Sequence, residues 1–325
     1  MKRKTRSAIA VGTTVLAASL ALTGCTPPEQ PPAATEGPVT LETVHFVNPL
    51  PTAPLWAQFS QCMADEAEAN GLDYTESGPS AAQAGDATVM IQQIQDAAAQ
   101  GKDAIITFPI SAAFGPVLQA AQEQGVITGT VYGDGSPESG ATVNAGVDWG
   151  IIGEEYVAAI SAQGGQQVVG LVAEAPTGVG KSWIDGVKAA AEKTDNVTIA
   201  GEVYIGADSA AAVTEVTSML TAYPEITIVA SNTGIMTAGG VAAIETLGLQ
   251  GKVKLLAINN ANGGPEAVKS GAAIGVYLQD FCALGTDTIK GIIRAAAGED
   301  VGTVLVTAKI ATKDDIDELI EKGWG

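Results

Sequence analysis

The sequence predicts an α/β protein built as two doubly wound parallel-sheet lobes. Three observations carry this. Short β-branched runs alternate with amphipathic helical stretches from about Val39 onward. The loops between them are short and often marked by glycine, the pattern of helices laid on both faces of a parallel sheet. The alternation also runs through two consecutive rounds, and a chain of 325 residues is long enough for two domains of ordinary size.

The elements follow in order. TVHFVN (43–48) reads as the first strand, and the helix over 54–70 opens with proline in its first turn and stops at Gly71. LDYTES (72–77) is the second strand. The helix over 85–100 spaces Met90, Ile91, Ile94 and Ala98 on one face. DAIITFP (103–109), a helix over 112–124 ended by Gly125, and VITGTVY (126–132) complete the first round. ATVNAGV (141–147) and a helix over 150–162 open the second. QQVVGLVAE (166–174), VTIAGEVY (197–204), ITIVAS (226–231), KVKLLAIN (252–259) and AIGVYLQ (273–279) are its strands, each leading into a helix. The helix after Gln279 reads as 286–297, TVLVTAKI (303–310) as one last strand, and 314–322 as the last helix. Ligands of open parallel sheets sit at the carboxyl ends of strands. The loops after Asn48, Phe108, Tyr132, Glu174, Tyr204, Ser231, Asn259 and Gln279 are therefore the candidate site.

The start of the chain has a different character. Residues 1–24 carry Lys2, Arg3, Lys4 and Arg6, then an uncharged, mostly apolar run from Ser7 to Ala21, then small residues before Cys25. This is an export signal, and its apolar run is short for a membrane span. Leu22-Thr23-Gly24-Cys25 resembles the lipobox of bacterial lipoproteins. That resemblance implies cleavage before Cys25 and a diacylglyceryl group on its sulfur, and two acyl chains anchor a protein stably. Residues 25–38 (TPPEQPPAATEGP after the cysteine) are proline-rich and read as an extended tether. The expected location is outside the cytoplasm, lipid-anchored at the outer face of the cytoplasmic membrane or in the periplasm.

Composition removes several function classes. The formal net charge is −20, and loss of the basic signal makes it more negative still. Nucleic acid and anionic headgroups repel such a chain. His45 is the sole histidine and sits inside the first strand. With no G-x-S-x-G elbow and no His/Cys cluster, neither a hydrolase triad nor a metal site is read, and no cofactor is expected. APTGVGKS (175–182) satisfies a relaxed phosphate-loop pattern between a strand and a helix. Export and the lack of an apolar strand ending in Asp to hold Mg²⁺ argue against nucleotide hydrolysis. Cys62 and Cys282 remain once Cys25 is lipidated. An oxidising compartment allows them to pair, or they are two separately buried thiols.

Five stretches carry a further resemblance: PLWAQFSQCMADEAEANGLDY (54–74), IQQIQDAAAQGKDAIITFPIS (91–111), AGVDWGIIGEEYVA (145–158), SNTGIMTAGGVAAIETLG (231–248) and AINNANGGPEAVKSGAAIGVYLQD (257–280). In this order and at these intervals they resemble the type 1 periplasmic binding proteins, in the ribose-binding-like branch that serves sugar ABC transporters. The resemblance spans about Thr43 to Asp317. It implies two lobes joined by a three-crossing hinge that close on a ligand. The first lobe is then 39–146 plus 279–307, and the second 147–278 plus 308–325.

The same resemblance assigns site residues one by one. The ring-stacking aromatic falls on Trp56 and the hinge glutamine on Gln279. The Asp-Arg pair that grips sugar hydroxyls is replaced by Tyr132-Gly133. The arginine of the second lobe's ligand helix falls on Lys181, with Trp183 two residues on. Asn232 is retained, the hydroxyl-gripping aspartate becomes Asn259, and Asp148 is a nearby charge. With the charged clamp largely gone, the implied ligand is a small neutral sugar or polyol other than ribose. Aromatic faces pack on C–H surfaces while amides both donate and accept. The implied partners are an ABC permease and, through Cys25, the membrane, with the protein acting as a monomer and not as an enzyme. A ligand-presenting role for a receptor, including a furanosyl signal, and an exported enzyme on the same fold are the alternatives. The family's first helix and the helix after the hinge glutamine pack side by side. The resemblance therefore implies a Cys62–Cys282 bridge.

Overall fold

The computed structural model describes residues 39–133, 140–206, 208–260 and 262–325. The signal over 1–24, the tether over 25–38 and the lipidation site Cys25 lie outside the described residues.

In the first sheet the central strands are buried on both faces, as parallel strands between helices must be. In chain order come β1 (Thr43–Val47), α1 (Pro54–Ala69), β2 (Asp73–Ser77), α2 (Ala87–Ala99), β3 (Ala104–Thr107), α3 (Phe114–Gln122), β4 (Ile127–Gly133) and β5 (Val143–Gly146). Every residue of β3 and β5 is buried. The second round contains α4 (Trp149–Ser161), β6 (Gln167–Ala173), α5 (Gly178–Ala191), β7 (Val197–Tyr204), α6 (Ser209–Ala222), β8 (Ile228–Ser231), α7 (Ile235–Thr246), β9 (Lys254–Ile258), α8 (Gly264–Ser270) and β10 (Ala273–Gln279). The chain closes with α9 (Phe281–Ala296), β11 (Thr303–Leu305), β12 (Ala308–Ala311) and α10 (Ile316–Glu321).

These strands form two six-stranded sheets, ordered β11-β5-β4-β3-β1-β2 and β12-β10-β9-β8-β6-β7. All pairs are parallel except β12 against β10. Each sheet is an α/β lobe with a core on each face. In the first lobe one face packs against α1 and α9, the other against α2 and α3. In the second, α4 and α5 cover one face and α6, α7 and α8 the other. The crossover reverses between β1 and β3 in one sheet and between β6 and β8 in the other. Loops at such points carry ligands in open sheets.

The chain passes between the sheets after Gly146, after Gln279 and between Leu305 and Ala308. Backbone bonds tie the crossings together: Asp280 N–H donates to Thr307 O at 2.8 Å, and Val306 N–H to Gly146 O at 2.9 Å. The run TVLVTAKI is two strands rather than one, because its halves serve different sheets: β11 pairs with β5 and β12 with β10. The α9 helix also starts five residues before the position read from sequence. Asp280 caps it, its carboxylate accepting from Ala283 N–H at 2.8 Å, which satisfies an otherwise unpaired first-turn donor.

Two contacts fix the helices that flank the cleft. Cys62 of α1 and Cys282 of α9 are bonded, their Cα atoms 5.2 Å apart. α4 and α5 meet glycine to glycine: a Cβ on Gly153 would lie 2.3 Å from the carbonyl carbon of Gly186. The final residues span the lobes. Gln58 Nε2 of α1 donates to Gly323 O at 3.2 Å, and Asn260 Nδ2, beyond β9, donates to Trp324 O at 3.1 Å. Gly325 is buried and exchanges backbone hydrogen bonds with Gln279, at 2.8 and 3.0 Å.

Candidate ligand-binding site

Where the strand ends of the two lobes meet, a cavity of about 200 Å³ opens. The first lobe supplies Leu55, Trp56 and Phe59 from the first turns of α1, Tyr132 from β4 and Phe281 from α9. The second lobe supplies Ile258 and Asn259 at the end of β9, and the crossing supplies Gln279 and Gly325. None of these side chains is charged.

Local structure explains how each one arrives there. Pro54 opens α1 with its φ preset and no N–H to satisfy, so the helix begins at once after the β1 loop. That places Trp56 and Phe59 one turn apart on the face toward β1 and β4. Asn48, fully buried at the end of β1, holds the loop: its amide nitrogen donates to Glu76 at 2.8 Å and to Trp56 O at 3.4 Å, while its oxygen accepts from Leu50 N–H at 2.9 Å. Ser60 donates to the other oxygen of Glu76 and pairs with the Tyr74 hydroxyl at 2.8 Å. The Trp56 ring is locked by its neighbours, with centroids 5.4 Å from Tyr132, 5.6 Å from Phe108 and 5.7 Å from Phe59. Tyr132 in turn lies 5.1 Å from Phe281.

Backbone strain concentrates at the same place. Among the described residues only Tyr132, Asn259 and Asn262 are non-glycine residues with positive φ, and the first two line the cavity at +56° and +55°. A bulky aromatic is seldom found in this left-handed region, and such strain gathers at functional sites. Asn259 is accommodated by Gly234 in the facing loop. A Cβ there would lie 2.4 Å from Asn259 Oδ1 and 2.6 Å from Nδ2, so glycine makes room for the amide.

The polar side chains among the described lining residues are neutral. The Tyr132 hydroxyl is shielded from solvent and has no hydrogen-bond partner among the described residues. Burial pushes its pKa well above the ordinary tyrosine value, so it stays a phenol and a donor. Asn232, which follows β8, does not line the cavity, and its shielded Oδ1 has no hydrogen-bond partner among the described residues. Gln279 is nearly buried at 8% exposure with its side chain on the cavity wall. Among the described residues no group of three or more His, Cys, Asp or Glu could hold a metal. His45 is engaged by Thr75 and Ser77, each at 2.9 Å, on the β2 side of the sheet.

Of the residues named from sequence, Trp56, Tyr132, Asn259 and Gln279 line the cavity. Trp183 does not. It is fully buried in the second lobe's core, edge-on to Tyr156 at 5.6 Å. Because α5 starts at Gly178, residue 183 falls on the sheet-facing stripe with Ile184 and Val187. Asp148 is exposed and caps α4, accepting from Gly150 and Ile151 N–H at 2.8 and 3.1 Å. Lys181 is exposed and pairs with Asp185 one turn on, at 2.5 Å, and neither Asp148 nor Lys181 lines the cavity. Leu55, Phe59, Ile258 and Phe281 were not singled out from sequence. The available signal was the aromatic pair Trp56/Phe59 at helical spacing, and Phe281 two residues beyond Gln279. A larger groove, about 610 Å³, runs beside β7 and Tyr223, but the second lobe alone builds it and β7 is the outer edge of its sheet.

Two α/β lobes, three crossings and a cavity at the meeting of strand ends, uncharged in its described side chains, are the marks of a two-lobed solute-binding protein. The chain belongs to the periplasmic binding protein family: residues 44–300 match the periplasmic binding protein domain. No curated protein matches it. Solved structures share the fold. A periplasmic ribose ABC transporter protein from Conexibacter woesei is 19% identical, with a TM-score of 0.77 over 88% of this chain and 96% of that one. A glucose-galactose binding protein from Geobacillus stearothermophilus is 18% identical, with a TM-score of 0.74 over 85% and 99%. An ABC transporter solute binding protein from Bacillus halodurans, solved with myo-inositol, is 21% identical, with a TM-score of 0.68 over 88% and 99%. The family serves transport and places its members outside the cytoplasm.

Proposed function

We propose that this protein captures a neutral sugar or polyol between its lobes and delivers it to the permease of an ABC importer. The observation that carries the reading is the cavity itself, with aromatic faces at Trp56 and Tyr132, amides at Asn259 and Gln279, and no charged side chain among its described lining residues. The described lining residues offer an anionic or cationic solute no counter-charge, and a buried unpaired charge costs several kcal/mol or more. Neutral polar rings instead use aromatic faces and amides together. Relatives solved with D-arabinose, D-allose and myo-inositol support a ligand of this size and class. The lipobox-like Leu22-Thr23-Gly24-Cys25 supports anchoring through lipid on Cys25, which keeps the protein beside its permease.

A thermal-shift screen tests the ligand. A solute present at 100 times its dissociation constant adds about 2.7 kcal/mol of stability. Neutral sugars or polyols should raise the melting temperature, whereas sugar acids and amino sugars should not. A screen in which only charged solutes stabilise the protein would overturn the proposal. For the anchor, Cys25→Ser should abolish membrane retention and palmitate labelling.

A further inference from the structure

An asparagine side chain can close a ring on the main-chain nitrogen of the next residue. The closure is least hindered when that residue is glycine, which has no Cβ to block the approach. The chain has two such pairs, Asn70-Gly71 and Asn262-Gly263. Both asparagines are exposed, so solvent access does not distinguish them. Their hydrogen bonds do. Asn70 closes α1, and its Nδ2 donates to Glu66 O at 2.8 Å and to Glu66 Oε1 at 2.9 Å. The backbone beyond it is held as well: Gly71 N–H donates to Glu68 O and Leu72 N–H to Ala67 O, each at 2.9 Å. The Asn70 amide cannot swing over the Gly71 nitrogen without breaking this helix end. Asn262 lies in the loop between β9 and α8, at φ +53°, beside Gly263 at φ +85°. Among the described residues neither its amide nor the Gly263 N–H makes a hydrogen bond. The free pair sits between two anchored points. Asn260 Nδ2 donates to Trp324 O at 3.1 Å, and Ala267 N–H to Gly263 O at 2.9 Å.

We propose that Asn262 is a site of spontaneous modification, deamidating to aspartate and isoaspartate in the folded protein while Asn70 is preserved. The Gly263 nitrogen gives up its proton and bonds to Asn262 Cγ. The Cγ–Nδ2 bond breaks, and Nδ2 leaves with that proton as ammonia. Water then opens the cyclic imide at either carbonyl. One opening leaves aspartate in the normal main chain. The other routes the main chain through Cγ, as isoaspartate. Either product adds a negative charge in the loop that begins at Asn259, and isoaspartate also lengthens that loop by one main-chain carbon. Freeing Asn70 for the same reaction breaks two side-chain bonds and a helix end. The fold should therefore favour conversion of Asn262 over Asn70 by about tenfold or more.

The test ages the purified protein at mildly alkaline pH, where the glycine nitrogen loses its proton more readily. Peptide mapping by mass spectrometry follows both asparagines, in buffer and in enough urea to unfold the chain. Unfolded, the two pairs differ only through their sequence neighbours. The ratio of the two rates in buffer, divided by the ratio in urea, therefore measures what the fold contributes. A quotient of about ten or more, with Asn262 the faster, is expected. A quotient near one, or Asn70 converting first, overturns the proposal. So does a folded protein in which Asn262 stays intact while it converts in urea. Asn262→Gly gives a second readout, because glycine suits a positive φ and carries no amide. Isoelectric focusing of the parent should show an acidic species growing with time, and the variant should lose it. An acidic species that grows at the parent's rate in the variant places the modification elsewhere and overturns the assignment.

Discussion

Removing one oxygen atom from Tyr132 should make the protein more stable and a poorer binder. The hydroxyl is shielded and has no hydrogen-bond partner among the described residues, so folding strips it of water without a protein bond there to replace it. Mutational data put that loss at about 1–3 kcal/mol. Tyr132→Phe keeps the ring, its contact with Trp56 at 5.4 Å and with Phe281 at 5.1 Å, and the backbone at φ +56°. Packing and strain therefore cancel in the comparison. The variant should gain about 1 kcal/mol, or roughly 2 °C for a chain of this size. The ligand is then missing a donor, which should weaken binding about fivefold. Urea unfolding of the free protein and titration calorimetry measure the two effects separately. A variant less stable than the parent by 1 kcal/mol would refute the reasoning, since the hydroxyl would have to be satisfied in the native state. The pH dependence offers a second check. The folded pKa is raised above the ordinary value of 10.0, so this group's contribution is complete below pH 10 and is lost as pH climbs toward the folded pKa. The Phe variant should lose stability less steeply above pH 10. Tyr156 and Tyr277, whose pKa values burial also raises, keep the remaining slope.

Other perturbations separate site from scaffold. Gly234→Ala leaves a helix-compatible backbone at φ −63° but drives a methyl to within 2.4 Å of the Asn259 amide, so affinity should fall about tenfold with the melting temperature within about 2 °C of the parent. Unchanged binding would remove Asn259 from the site. Gly153→Ala puts a Cβ 2.3 Å from the Gly186 backbone and should destabilise by about 1–3 kcal/mol in chemical denaturation, because helix must move from helix. Asp148→Ala should lose about 1 kcal/mol of stability as α4 loses its cap, with ligand affinity unchanged by calorimetry. The Cys62→Ser, Cys282→Ser double variant should lose about 2–5 kcal/mol, since the bridge spans 220 residues of chain. Mass spectrometry of the parent purified without reductant should find no free thiol at either position.

Element order and fold class are legible in this sequence because burial on two sheet faces forces β-branched runs, and short loops leave the period intact. The division of TVLVTAKI is not, since a strand in either sheet demands the same residue types and nothing at Val306-Thr307 breaks the run. The candidate site is readable where a polar or aromatic residue stands at or just past the carboxyl end of a strand, as with Tyr132, Asn259 and Gln279. It was unreadable where the lining is apolar: Leu55, Phe59, Ile258 and Phe281 have the same chemistry as core residues, and only the position of the other lobe distinguishes them. Trp183 shows the converse. Its indole suggests a ligand face, but the helical phase set by the start of α5 turns it inward. Asp148 stands one residue before a helix, where capping rather than a charge beside the ligand is the role its position dictates.

The path of the last residues has a practical consequence for handling the protein. Gly325 is buried on the cavity wall and hydrogen-bonded to Gln279, with Gly323 and Trp324 tethered to opposite lobes. Residues 323–325 thus lie beside the place where the lobes meet. A label inserted among these residues would therefore disturb the cavity wall, whereas one placed just before Val39 starts beside the far end of α9, where Val39 N–H bonds Ala296 O at 2.8 Å. By the same logic, an environment-sensitive dye attached at position 324 would report directly on solute capture.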